Sequence, residues 1–138
     1  MKPFYLKVVA TDKVFFDGKC VSLVIPIDDG LMGILADHEN TAMVIDSGEI
    51  KIKTEDGNEI YGFISDGFLE VVGGEATIVA ISAEKPEDID DVRANAALER
   101  AKDELSHKQN EREHEHSLAS MARAIGRLKL KDKYNKPM

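Results

Sequence analysis

The chain has 138 residues, of which 43% are apolar and 32% charged, and its formal net charge is −8. That size suits one ordinary domain or two small ones, and the apolar share excludes a chain disordered throughout. No apolar run approaches the roughly 18 residues of a membrane-spanning helix. The opening Met1-Lys2-Pro3-Phe4-Tyr5-Leu6-Lys7 has neither the apolar run nor the small-residue cleavage site of a secretory signal, so a cytosolic location is expected.

Cys20 is the single cysteine, which rules out an intrachain disulfide. It is read as an ordinary strand residue, because only Lys19 beside it could depress its pKa. The charge is uneven. Residues 1–86 carry seven lysines against fifteen acidic side chains, and residues 87–138 balance at zero. Residues 118–138 are strongly basic, with Arg123, Arg127, Lys129, Lys131, Lys133 and Lys136 against Asp132 alone. The acidic body would repel a phosphate backbone, so a partner with an acidic surface is expected in place of nucleic acid.

The first 83 residues read as strands. Turn signals recur at Asp17-Gly18, Asp29-Gly30, Ser47-Gly48, Asp56-Gly57, Asp66-Gly67 and Gly73-Gly74, a spacing that suits an antiparallel β-sandwich. Val21 to Ile25 suits a core strand. Glu49-Ile50-Lys51-Ile52-Lys53 alternates strictly, which turns Ile50 and Ile52 inward. Phe68–Val72 and Ala76–Ile81 flank Gly73-Gly74 as a hairpin.

The texture changes at Glu84-Lys85-Pro86-Glu87-Asp88, where a boundary is placed between residues 86 and 87. Helix formers dominate thereafter, and the acidic cluster suits a helix N-terminus. One helix is expected over about 88–107, with Ala94, Ala97, Leu98, Ala101 and Leu105 as its apolar stripe. Ser106-His107-Lys108-Gln109-Asn110 turns the chain. A second helix is expected over about 111–131, with Leu118, Met121, Ala122, Ile125 and Leu128 on one face. These narrow stripes predict a two-helix antiparallel hairpin less stable than the sandwich and able to leave it.

Catalytic machinery is not legible. There is no phosphate-binding loop or dinucleotide fingerprint, and Ser47 and Ser65 lack a nucleophile-elbow context. His114 and His116 are two apart and point to different faces of a helix, so with His107 they make no metal site. Asp28-Asp29 reads as a turn, and His38 as a loop or interface residue. The arginines are more informative. Arg93 and Arg100 are seven apart and share a helix face, as do Arg123 and Arg127, four apart. In an antiparallel hairpin the four could converge on a polyphosphate, or they could be solvated and paired with Glu99, Asp103 and Glu104.

At these residues the sequence resembles the epsilon subunit of the F-type ATP synthase, over nearly its full length. The resemblance rests on Val14-Phe15-Phe16-Asp17-Gly18, Val24-Ile25-Pro26, Gly30-Leu31-Met32-Gly33-Ile34-Leu35 with His38, and Ser65-Asp66-Gly67-Phe68-Leu69-Glu70-Val71. It continues through Ile89-Asp90-Asp91-Val92-Arg93-Ala94 and Glu99-Arg100-Ala101. Two turn residues depart from the family: Asn40 stands where proline is common, and Asp66 where a first glycine is common.

The resemblance implies a non-catalytic rotor subunit on the cytoplasmic face of a bacterial membrane. Its sandwich would bind the gamma subunit and rest on the c-ring, with Leu31, Met32 and His38 as contacts. Its hairpin would extend into the alpha and beta subunits of the head and block ATP hydrolysis, with Arg123, Arg127, Lys129 and Lys131 facing acidic segments. The resemblance also implies regulatory ATP binding to the compact hairpin, with no cofactor or metal required. Glu84, Ile89 and Asp90 would hold the adenine side, and Arg93 beside Ala94, with Arg100, Arg123 and Arg127, the phosphates. Other classes are a stand-alone ATP sensor, a purely structural coupling subunit and, more remotely, a small hydrolase.

Overall fold

The computed structural model describes residues 1–107 and 109–134. Lys108 of the expected turn and Lys136 of the basic tail lie outside these. The chain divides into two compact units, Met1–Lys85 and Pro86–Met138.

The first unit holds seven strands: β1 (Phe4–Ala10), β2 (Val14–Ile27), β3 (Gly30–Ile34), β4 (Thr41–Ile45), β5 (Gly48–Thr54), β6 (Glu59–Val72) and β7 (Glu75–Glu84). The pairings close on themselves: β1 pairs β7, then β6, β5 and β2 follow, and β2 returns to β1. β3 extends from β2 and β4 from β6. All pairs are antiparallel except β1 with β7, which run parallel. The sandwich is therefore not antiparallel throughout, because its first and last strands meet in the same direction.

Two turn signals prove to lie inside strands. Asp17-Gly18 is within β2 and Asp66-Gly67 within β6. Each long strand serves both layers. β2 pairs β1 with its first half and β5 and β3 with its second, shifting register between Cys20 and Ser22. β6 pairs β5 through Glu59–Ile64 and β4 through Gly67–Val71. Asp66 lies between these stretches in the left-handed region, at φ 44°, and marks the bend. Gly73 and Gly74, at φ 59° and 81°, form the β6–β7 turn at a place where L side chains are strained.

The core is the inward-facing set of both layers, including Leu6, Val8, Leu23, Ile25, Ile50, Ile52, Ile64, Leu69 and Ile78. Ile50 and Ile52 are fully enclosed, as their alternation with lysine predicts.

The second unit opens with a 3-10 turn at Pro86–Asp88, followed by α1 (Asp91–Ser106) and α2 (Glu111–Tyr134). The acidic cluster does not itself start the helix. Asp90 caps it, its carboxylate accepting from the N–H of Val92 at 3.0 Å and of Arg93 at 3.1 Å. Asn110 caps α2, its side-chain oxygen accepting from the N–H of Glu113 at 2.8 Å. Among the described residues no helix is long and apolar enough to cross a membrane.

On α1 the buried residues are Ala94 and Ala101, as the stripe predicts. On α2 they are Ser117, Ala124 and Leu130, whereas Leu118 is 41% exposed and Ala122 is exposed. The contact face of α2 is thus turned by about one residue, roughly 100°, from the apolar stripe. Ser117 can be buried because its hydroxyl is satisfied. It donates to Glu104 at 3.0 Å and accepts from the Gln109 amide at 3.1 Å. Small residues at Ala94, Ala101 and Ala124 let the helices approach closely.

Candidate functional site

Two cross-links fix the helix register. Glu104 meets Ser117 near the turn. At the other end of the hairpin the Lys131 ammonium donates to the Ile89 carbonyl at 2.7 Å. Each step forward along α1 therefore matches a step back along α2. Arg93 comes level with Arg127, Ala97 with Arg123, and Arg100 lies about 10 Å along the axis from Arg93 at roughly 1.5 Å per residue.

Helical spacing also settles the side. Arg93 and Arg100 each precede a buried alanine, Ala94 and Ala101, and Arg123 precedes the buried Ala124. In antiparallel helices packed face to face, residues one before the contact line point to the same edge of the pair. Arg127, three after Ala124, points to that edge as well. Four guanidiniums thus line one edge, and Asp90 stands at its open end. Arg93 and Arg100 are exposed, while Arg123 and Arg127 are half-buried. Arg123 donates to the Ser120 hydroxyl at 3.2 Å. A row of this kind can hold a chain of anionic groups, since each guanidinium offers a planar fork of donors.

Of the eight residues assigned to a nucleotide, seven belong to the helical unit. Glu84 closes β7 opposite Phe63 in the sandwich unit. The whole Ile89 residue is 2% exposed, so its side chain offers nothing to a ligand. Of the four residues assigned to the catalytic head, Arg123 and Arg127 share the arginine edge. Lys131 falls on the contact line and is engaged with Ile89. Lys129 is exposed, and its position two residues before Lys131 turns it away from the arginine edge.

In the sandwich unit, Leu31 and Met32 occupy β3. Leu31 is 70% exposed opposite Pro26, while Met32, opposite Ile25, packs on the core. His38 lies beyond the other end of β3, its Nδ1 2.8 Å from the Glu39 carbonyl oxygen. The three are spread along β3 and its exit loop and do not form one cluster. Asn40 has a definite task, because its side-chain oxygen accepts from the Gly73 N–H at 2.9 Å and ties this loop to the β6–β7 turn. Among the described residues no three His, Cys, Asp or Glu side chains gather as a metal site.

One feature escaped the sequence reading. Val44, Phe68 and Val79 stand in register on β4, β6 and β7, and Val9 of β1 continues the row. Their inward counterparts are core residues, so this row faces out. Val44 is 73% exposed, Val79 58% and Phe68 45%. The signal was present in Ala76–Ile81, where the outward Val79 and Ile81 are apolar like the inward residues, unlike the lysine-flanked β5.

The family described as "ATP synthase, Delta/Epsilon chain, beta-sandwich domain" matches residues 3–86, and its "long alpha-helix domain" matches residues 87–132. The chain belongs to the ATP synthase delta/epsilon family. Among its relatives is the ATP synthase epsilon chain of Caldanaerobacter subterraneus subsp. tengcongensis, 38% identical, with 96% of each chain covered. The epsilon chain of Caldicellulosiruptor bescii is 38% identical, with 94% of each covered. A chain in the cryo-EM structure of Euglena gracilis mitochondrial ATP synthase shares the fold at a TM-score of 0.67 and 23% identity, covering 94% of this chain and 78% of that one. The protein is thus an epsilon-type subunit of an ATP synthase and part of a membrane-associated complex.

Proposed function

We propose that the chain is a non-catalytic coupling and regulatory subunit at the foot of the central stalk. Its sandwich docks on the gamma subunit and the c-ring and passes rotation to the catalytic head. The outward row Val9, Val79, Phe68 and Val44 supports a protein-docking face, since contiguous exposed apolar surface of this kind marks interaction sites. Leu31, Met32 and His38 are further contact candidates. The hairpin opens toward the alpha and beta subunits to restrain ATP hydrolysis, and its basic end supports pairing with an acidic surface.

ATP binds the closed hairpin along the arginine edge. The observation that carries this part is the convergence of Arg93, Arg100, Arg123 and Arg127 on one edge of the pair. Ligand held only by the closed form shifts the population away from the open, inhibitory form. High ATP therefore releases the restraint, and low ATP restores it. The switch requires no cofactor, with ATP as its regulatory ligand, and the complex lies at the cytoplasmic face of the membrane.

The test is ATP titration of the full chain and its Arg93→Ala variant, alongside hydrolysis by an ATPase head lacking this subunit. We expect Arg93→Ala to weaken ATP binding at least about tenfold, the loss of one charge-assisted contact, with the sandwich intact. The full chain should inhibit hydrolysis and a chain ending at Pro86 should not. Unchanged ATP affinity in the variant would remove the nucleotide site, and equal inhibition by both chains would move the restraint to the sandwich.

A further inference from the structure

Gln109 cannot satisfy both ends of its side-chain amide in the closed hairpin. Its Nε2 donates to the Ser117 hydroxyl at 3.1 Å, and that hydroxyl gives its one hydrogen to the Glu104 carboxylate at 3.0 Å. The Gln109 Oε1 is enclosed, and among the described residues nothing donates to it. Turning the amide over brings no relief. Its oxygen and the carboxylate would then compete for a single hydroxyl hydrogen, and the NH2 group would take the unpaired place. The conflict comes from the pairing of the helices, because Glu104 lies on α1, Ser117 on α2 and Gln109 in the turn between them.

We propose that Gln109 is a built-in release that holds the closed hairpin near the point of opening, an inference that rests on the opening and closing argued above. In the closed form one end of the amide is buried without a partner, which costs more than the bond at its other end contributes. When the helices part, water reaches both ends. Gln109 therefore favours the open form, whereas the bond between Ser117 and Glu104 favours the closed one. With the two opposed, a ligand needs only a modest preference for the closed form to shift the population.

The experiment follows helix separation in urea in the full-length chain. An energy-transfer pair is placed by Val92→Cys and Lys129→Cys, two exposed positions that the helix register brings nearly level, while Cys20 stays buried. The variants are Gln109→Met, which has a similar shape, Ser117→Ala, and both together. Gln109→Met should favour the closed form about fivefold, since it removes an unpaired buried group at the loss of one bond, and so raise the urea midpoint. Ser117→Ala should lower the midpoint. The gain from Gln109→Met should be larger in the Ser117→Ala background, where the amide has lost its last partner. A midpoint unchanged or lowered by Gln109→Met would overturn the proposal. An equal gain in both backgrounds would overturn it too, by tracing the effect to added apolar surface. Unlabelled Gln109→Met should also require about fivefold more protein for half-inhibition of an ATPase head lacking this subunit. A raised midpoint with unchanged inhibition would uphold the conflict at Gln109 and overturn opening as the route to inhibition.

Discussion

Cys20 is fully enclosed in the sandwich, and burial pushes its thiol up to about 11 from an ordinary 9.0. The folded thiol keeps its proton where the unfolded one begins to lose it. Its contribution to stability is complete below about pH 9 and is lost as pH rises through about 11. Iodoacetamide at pH 8 should leave the native protein unmodified and alkylate it fully in denaturant, and chemical denaturation should find the fold weaker at pH 11 than at pH 8. Gly62 is constrained by space. A Cβ there would lie 2.6 Å from the Phe15 ring and 2.9 Å from the Glu84 carbonyl oxygen. Gly62→Ala should therefore cost about 1–3 kcal/mol, read as a lower denaturation midpoint. The ring must shift, and the backbone oxygen cannot easily follow.

Helix α1 depends on Asp90, whose carboxylate satisfies two backbone donors at its start. Asp90→Ala should cost the hairpin about 1 kcal/mol, seen as a loss of helicity on heating. Asp90→Asn keeps the cap, so any fall in ATP affinity in that variant reports on the ligand and not on the helix. In the sandwich, Asn40→Ala should speed hydrogen exchange at the Gly73 amide, which loses its acceptor. Much of this level was readable in advance. Gly73-Gly74 announces a turn because both residues need positive φ. Asp17-Gly18 and Asp66-Gly67 look alike in sequence yet lie within strands: the first pair sits in the regular ladder opposite Lys7 and Leu6, and the second begins with the positive φ of Asp66, where β6 changes partners. The face of α2 was misread for another reason. Hydrophobicity favours Leu118, but Ser117 takes the contact because Glu104 and Gln109 satisfy its hydroxyl, and those partners come from a register that no local pattern encodes.

At the scale of the molecule, the two units divide the charge. The acidic excess belongs to residues 1–86, and the basic end belongs to the hairpin. If the hairpin restrains the head through Arg123, Arg127, Lys129 and Lys131, salt should relieve it. Raising ionic strength from about 0.1 M to 1 M shortens the screening length from roughly 10 Å to 3 Å, and inhibition should weaken over that range. A salt-independent inhibition constant would point to an apolar contact. The spacing of Arg93 and Arg100 made their shared helix face legible from sequence. The link between Lys131 and Ile89 was not, since 42 positions separate them and only the pairing of the helices brings them together.

The parallel union of β1 with β7 has a consequence for biosynthesis. Leu6 to Ala10 lie beside Ala76 to Ala80, so the first strand made must wait for the last before it has both neighbours. The sheet cannot close while β7 is still inside the ribosome, and contacts between such distant positions form slowly. When the ring does close, the residues leaving the ribosome are already those of the hairpin. The first unit thus cannot be complete until synthesis has passed β7 and entered the helical unit.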